Sequence, residues 1–246
     1  MGRRHRGGTG GDCRLRCSVW EGVDLGMAAV LLAACVAVWA LIFFFPPANP
    51  TNPPAAPLQL PAPESMPAGI TVRNFQESDR AACIAIFESN AGEFVPPDLG
   101  LFLKAIDTDP CGFFVAEKKD GRVVACGGIT RQPQEPVAYL WMGLVHRDQH
   151  RCGLGTLMLL TRLAHLRDQL TAVGLETTAL AEPLYQRFGF RRCSEPEQRY
   201  IGGFSHFTMY RHITRAECEQ IRLLLRKSPV QFGFDLASPP SRPSAV

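Results

Sequence analysis

The residue types and spacing best suited to chemistry fall in one stretch: Gly143-Leu144-Val145-His146-Arg147-Asp148-Gln149-His150-Arg151-Cys152-Gly153-Leu154-Gly155-Thr156. An apolar run enters a loop carrying Gly-x-Gly, and an amphipathic pattern with Leu159, Leu163 and Leu166 on one face follows at once. Glycines at such a junction let the backbone approach a ligand. The first N–H groups of the helix have no acceptor of their own, and the helix dipole favours an anion there. The pattern is that of a phosphate cradle, although a short tight turn uses the same glycines. A Walker loop needs Lys before Thr156, and Gly155 stands there. A dinucleotide fingerprint needs a third glycine at the position of Met158. Charge to meet a phosphate is ample: Arg147, His150 and Arg151 in the loop, Arg187, Arg191 and Arg192 further on. His146 and His150 have a spacing seen in metal sites, but only Cys152 is near as a third ligand, and the reading assigns no metal. No acid orients a His toward Cys152 in the sequence, which argues against a nucleophilic role for that thiol.

A second motif lies about 30 residues on: Ala181-Glu182-Pro183-Leu184-Tyr185-Gln186-Arg187-Phe188-Gly189-Phe190. The ordered pair resembles the GNAT (general N-acetyltransferase) superfamily, which shows strand, Gln/Arg-x-x-Gly-x-Gly/Ala, helix, strand, then Ala-x-x-Leu-Tyr-x-x-x-Gly-Phe. Ala181, Leu184, Tyr185, Gly189 and Phe190 match the second motif, and the resemblance covers roughly residues 69–212. The first motif departs from the pattern. His150 stands at the Gln/Arg position, Arg151 where Gly is common, Cys152 where Lys or Arg is common, and Arg147 where Pro often follows the strand; Thr178 stands where Asn often precedes the second motif.

The resemblance implies transfer of acetyl from acetyl-CoA directly to an amine acceptor. It also implies roles: backbone groups of Leu144, Val145 and His146 on the pantetheine arm, Arg151, Cys152, Gly153, Leu154, Gly155 and Thr156 around the pyrophosphate, and Tyr185 near the thioester sulfur as the acid. A leaving thiolate has a pKa of about 8.5 and a phenol of about 10, so a phenol can donate as charge develops. No carboxylate lies on the strand Val137–Gly143 to act as base; Glu176, Glu93, His206 or a water chain stay open. A non-catalytic acyl-CoA-binding module of the same fold is the alternative function.

The elements that must position these residues alternate. Strands are expected at Ile70–Arg73, Phe113–Glu117, Arg122–Ile129, Val137–Val145, Val173–Thr177 and Ser205–Tyr210. Lys119-Asp120-Gly121 makes a hairpin turn. Helices are expected from Ser78–Arg80 with Ala82, Ile84, Ile86 and Phe87 as the apolar face, at Leu99–Ile106, Gly155–Gln169 and Pro183–Phe188, and after Thr214, which forms a capping box with Glu217. The fold class is α/β, a GNAT-like mixed, mostly antiparallel central sheet with helices on both faces.

The 246 residues divide into a basic tail at 1–26, a candidate transmembrane helix at 27–45, a Pro-rich linker at 46–68, the catalytic domain at 69–230 and a flexible tail at 231–246. The run MAAVLLAACVAVWALIFFF carries no charge and nearly supplies the ~20 apolar residues that span a bilayer. A cleaved signal peptide is the rival reading. Localisation is expected to be single-pass membrane, or cytoplasmic if translation starts at Met66. The basic tail places the N-terminus in the cytosol and the domain across the membrane, whereas nine scattered cysteines without a CxxC pair favour the reducing side. The mild net charge of +3 argues against a nucleic-acid partner.

Overall fold

Along Phe113–Lys118 the side chains alternate between two apolar clusters: Phe113 and Val115 belong to one, Phe114 and Ala116 to the other. This period of two is what a strand covered on both faces requires. The computed structural model describes residues 58–92, 99–108, 112–131, 137–166, 172–193, 197–200 and 204–236. In chain order they form β1 (Ile70–Asn74), α1 (Arg80–Asn90), α2 (Leu99–Thr108), β2 (Phe113–Lys118), β3 (Val123–Arg131), β4 (Val137–Val145), α3 (Leu154–Ala164), β5 (Ala172–Thr177), α4 (Glu182–Arg187), β6 (Arg191–Arg192), β7 (Glu197–Tyr200), β8 (Phe204–Arg211), α5 (Arg215–Lys227) and β9 (Gln231–Phe232).

The described residues build a nine-stranded sheet in the order β6-β8-β5-β4-β3-β2-β1-β9, with β7 pairing β8. The β4–β5 and β1–β9 pairs are parallel and the others antiparallel. Helices α1 and α2 cover one face through Cys83, Ile86, Phe87, Phe102 and Ile106. Helices α3 and α5 cover the other through Leu157, Leu160, Leu163, Ile221 and Leu225. This is the open, largely antiparallel α/β sheet expected from the sequence.

Several boundaries differ from expectation. The buried face of α1 is Cys83, Ile86, Phe87 and Asn90 rather than one containing Ile84, because Asn90 finds backbone partners that reward its burial. Helix α3 begins one residue early, after Gly153 in the left-handed region (φ +81°), and ends at Ala164. There Arg222 of α5 caps it, donating to the carbonyls of Ala164 (2.9 Å) and Leu166 (2.6 Å). The Thr214–Glu217 capping box forms as expected and opens α5.

Both ends of the domain extend past their expected limits. Residues Gln231–Phe232, assigned to a flexible tail, add a parallel strand to β1. Phe234 then packs on Phe114 and His165, and Leu236 is buried. Leu58 and Leu60, assigned to the Pro-rich linker, pack against the α3/α5 cluster, and Met66 is buried within it. The candidate span 27–45 lies outside the described residues, among which no helix is long and apolar enough to cross a membrane.

The packing of Leu58 and Leu60 predicts that a chain begun at Met66 is less stable than one begun at residue 54, by about 2 kcal/mol for two half-buried leucines. Urea melts of the two would check it; equal midpoints would show that the preceding segment adds nothing.

Candidate functional site

The site begins where two parallel strands stop pairing. β4 and β5 run together from Val137↔Ala172 to Leu140↔Leu175, and there the ladder ends. β5 continues through Glu176 and Thr177, paired only to Thr208 and Phe207 of β8. β4 continues through Trp141–Val145, paired only to β3. The β5-facing edge of β4 over this length has no strand partner. Backbone donors and acceptors inside a protein need partners, so the opening suits an extended ligand that supplies them.

A bulge in β4 marks the opening. Its register against β3 shifts between Cys126↔Leu144 and Gly128↔Trp141, so that Gly127 faces two residues, Met142 and Gly143. Met142 takes φ +46°, uncommon for a residue with a side chain. The extra residue puts Trp141 and Met142 together against the α1/α2 cluster. Gly143 and Gly127 then face α3: a Cβ at Gly143 would lie 2.6 Å from Arg162 Nη2, and one at Gly127 3.3 Å from its Cζ. Across the sheet, a Cβ at Gly128 would lie 2.3 Å from the Trp141 ring. The glycines leave room for one guanidinium on one face and one indole on the other. The indole stacks on Phe113 at 5.0 Å, and its buried N–H has no partner among the described residues.

Below the opening lies the start of α3. Gly153 caps it, and the N–H groups of Leu154, Gly155 and Thr156 belong to the first turn, where no helical acceptor exists. Arg151, itself at φ +62°, lines an open groove with Pro183, Leu184, Gln186 and Arg187. Arg187 Nη2 is 3.5 Å from Thr156 Oγ1. A Cβ at Gly155 would lie 3.3 Å from Leu184 Cδ2, so the second glycine of Gly-x-Gly lets α4 close on α3. Two cations and a helix N-terminus thus share one groove, which is what an anion with several charges requires.

Tyr185 sits on α4 with 8% of its surface exposed, edge-on to Phe190 at 5.8 Å. Its ring belongs to the buried cluster that α3 also lines. Leu144 and Val145 thus lie on the stretch of β4 beyond the ladder, and α4, which carries Tyr185, meets the α3 cap at the groove. The two histidines are occupied elsewhere. His146 Nδ1 lies 2.8 Å from Asp148 Oδ1. His150 Nε2 lies 2.9 Å from the Val145 carbonyl and 3.1 Å from Asn90 Oδ1. Asn90 Nδ2 donates to the same Val145 carbonyl at 2.9 Å. His150 thus holds the end of β4 onto the end of α1, a role the sequence does not announce. Cys152 is exposed in the loop. Of the candidate bases, Glu176 follows the last paired residue of β5, and His206 lies on β8 opposite Glu197. Glu93 lies outside the described residues.

Sequence reasoning passed over Asn90 and Arg162. The signal for Arg162 was a lone cation inside Leu157-Met158-Leu159-Leu160-Thr161-Arg162-Leu163-Ala164, a run otherwise fit for a core. Its side chain is 2% exposed, and no carboxylate pairs with it among the described residues. Burial pushes the guanidinium below its ordinary pKa, and the Tyr185 hydroxyl partly offsets that.

The chain is similar to known proteins in sequence and in fold. Residues 80–190 match the model of the Acetyltransferase (GNAT) family. Two curated relatives are each called mycothiol acetyltransferase. The one from Thermomonospora curvata is 31% identical over 191 residues, 71% of this chain and 60% of that protein. The one from Thermobispora bispora is 30% identical over 149 residues, 54% of this chain and 50% of that protein. The chain thus spans between half and three-fifths of the length of these relatives. Among solved structures, Ard1 from Thermoplasma volcanium superposes with a TM-score of 0.52 at 22% identity, covering 60% of this chain and all of that one, which shows the shared fold.

The Asn90–His150–Val145 clamp predicts that His150→Ala destabilises the protein by about 1–3 kcal/mol, the range for a buried polar group left without its partner. Chemical denaturation would measure it, and an unchanged midpoint would show that the clamp carries no stability.

Proposed function

We propose that this chain, whose residues 80–190 match the model of the Acetyltransferase (GNAT) family, is an acetyl-CoA-dependent N-acetyltransferase that moves acetyl directly to an amine. One observation carries the reading: β4 past Leu140 has no partner on its β5 side, and the chain leads from it into the cationic cap of α3. An acyl-CoA has matching parts in that order, with the thioester at one end, an amide-bearing arm between and phosphates at the other.

Each residue then has a task. The arm bonds backbone groups of Leu144 and Val145 other than the Val145 carbonyl, which Asn90 and His150 hold; His146, expected to join them, already donates its N–H to the Val124 carbonyl and accepts from Gln149. Arg151, Cys152, Gly153, Leu154, Gly155 and Thr156 surround the pyrophosphate, and Arg187 adds a second cation to the groove. When bound, the thioester supplies an activated acetyl group. Tyr185 donates its hydroxyl proton to the departing sulfur, so that the thiol rather than the thiolate leaves. Trp141, Met142 and Phe113 offer the amine an apolar floor on the α1/α2 side, with the unmatched indole N–H as a donor. The acceptor class follows from none of these groups alone. The curated relatives are named for mycothiol, which makes that acceptor one member of an amine panel to be tried.

The uncharged run 27–45 is read as a single-pass anchor that tethers the domain to a membrane through the Pro-rich segment. Retention of the full chain in the membrane pellet after alkaline carbonate washing would support the anchor, and full release would refute it.

Two outcomes test the enzymatic reading. Acetyl-CoA at about 100 times its Kd should stabilise the folded chain by about 2.7 kcal/mol, raising Tm, while ATP and NAD do not. Arg187→Ala should weaken that binding several-fold without lowering the Tm of the free protein. No shift at millimolar acetyl-CoA would contradict the reading. Tyr185→Phe should retain acetyl-CoA binding and lose about 100- to 10,000-fold in kcat, the range of a positioned general acid. Unaltered kcat would remove Tyr185 from the chemistry, and binding without turnover of any amine by the wild type would favour a non-catalytic acyl-CoA module.

A further inference from the structure

The face of the sheet turned away from α3 changes character where β4 leaves β5. Ala138 and Leu140 of β4, Val173 and Leu175 of β5, and Phe207 and Met209 of β8 all belong to the cluster under α3 and α5. The residues that alternate with them point the other way. They are Tyr139, Glu176, Thr208 and Tyr210, each half-buried. Trp141 stands beside them at the border of the α1/α2 cluster, which takes strand residues from β2, β3 and β4 but none from β5 or β8. Register draws the group together. Tyr139 and Tyr210 are both paired to Gly174, which has no side chain to part them. Leu140↔Leu175 closes the ladder, and one residue on stand Trp141 and Glu176, with Thr208 opposite Glu176. Glu176 is the one carboxylate on β4, β5 and β8. A single acid among three aromatic residues thus lies at the end of the opening where the acetyl-transfer reading puts the thioester.

We propose that this face is the acceptor site, that it takes an organic ammonium, and that Glu176 is the catalytic residue that removes the proton from its nitrogen. This rests on the acetyl-transfer reading. Aromatic faces and a carboxylate both attract a cation, and a neutral or anionic acceptor gains neither attraction. The ammonium gives one proton to the Glu176 carboxylate, which passes it to solvent. The freed nitrogen bonds to the acetyl carbon, and the carbon–sulfur bond breaks with its electron pair on sulfur. Sulfur takes the Tyr185 proton, and the second proton lost by nitrogen restores Tyr185 through solvent. His206 shares the face but lies two residues beyond Thr208, further from the end of the ladder, and pairs with Glu197 of β7. Arg191 of β6 pairs with Tyr210 at the outer side, so Tyr139, Tyr210, His206 and Arg191 are the other titratable groups that β4, β8 and β6 bring to this face.

The test compares wild type and Glu176→Gln on two acceptors, a primary alkyl amine and an aromatic amine that is already neutral at neutral pH. For the alkyl amine kcat should fall about 100-fold at neutral pH, the low end for a lost general base, with Kd for acetyl-CoA changed less than about twofold. The loss should shrink as pH rises toward the amine's own pKa of about 10, where solvent supplies free amine. For the aromatic amine, which has no proton to lose before attack, the cost should stay below about fivefold. Glu176→Asp keeps the acid and should fall between wild type and Gln; it carries the comparison if the Gln variant does not fold. A wild type that acetylates only aromatic amines, an unchanged kcat in Glu176→Gln, equal losses for both acceptors, or a loss that persists at high pH would overturn the proposal. A wild type that binds no acetyl-CoA, or binds it and acetylates no amine, would instead overturn the acetyl-transfer reading, and this inference with it.

Discussion

Everything at the site depends on a parallel pair of strands that does not stay paired. β4 and β5 share a ladder for four residues on each strand and then separate. Unpaired backbone inside a protein is costly, so the separation has to be maintained by something. The bulge at Met142 turns β4 away, and the Asn90–His150 clamp fixes the Val145 carbonyl at its far end. β8 keeps β5 straight by pairing it through Thr177. The opening between the strands is therefore a feature of the sheet, set by its register.

Charge is divided around that opening by environment. Arg151 and Arg187 line a groove open to water, where each contributes modestly and salt screens them. Several such charges with a helix N-terminus suit a ligand part that carries several negative charges. Arg162 lies behind the sheet in dry surroundings, where a single charge acts over its nearest neighbours with little screening. The glycines Gly127 and Gly143 are what admit it. At Gly143 an alanine Cβ would lie 2.6 Å from the guanidinium, closer than carbon and nitrogen approach without displacement.

Much of the frame is legible in the sequence. β4 runs Val137–Val145 as its apolar pattern indicates, and the Thr214–Glu217 box opens α5 where the spacing puts it. Gly-x-Gly and the Leu184–Tyr185 motif were visible because each is a local constraint: a tight helix start, and a short helix closed by Gly189. What stayed hidden depends on distant partners. Gln231–Phe232 reads as tail because two residues carry no period, and only β1 makes them a strand. Leu58 and Leu60 read as linker because prolines surround them, yet the core accepts them. The ion pairs of Arg73 with Asp79 and Glu117 join β1 to the start of α1 and to β2 by contacts 6 and 44 residues apart. Asn90 and His150 are 60 residues apart, and no spacing rule joins them. Arg162 could be flagged from sequence as a charge in an apolar run, but the glycines that admit it, Gly127 and Gly143, lie on other strands.

The most direct test of the central claim is hydrogen–deuterium exchange of the full chain with and without CoA. The account predicts added protection confined to the segments around 141–156 and 183–187, where β4 has lost its neighbour and the cap of α3 meets α4. Protection elsewhere, or none in those segments at saturating CoA, would contradict the assignment of the β4–β5 opening as the acyl-CoA site.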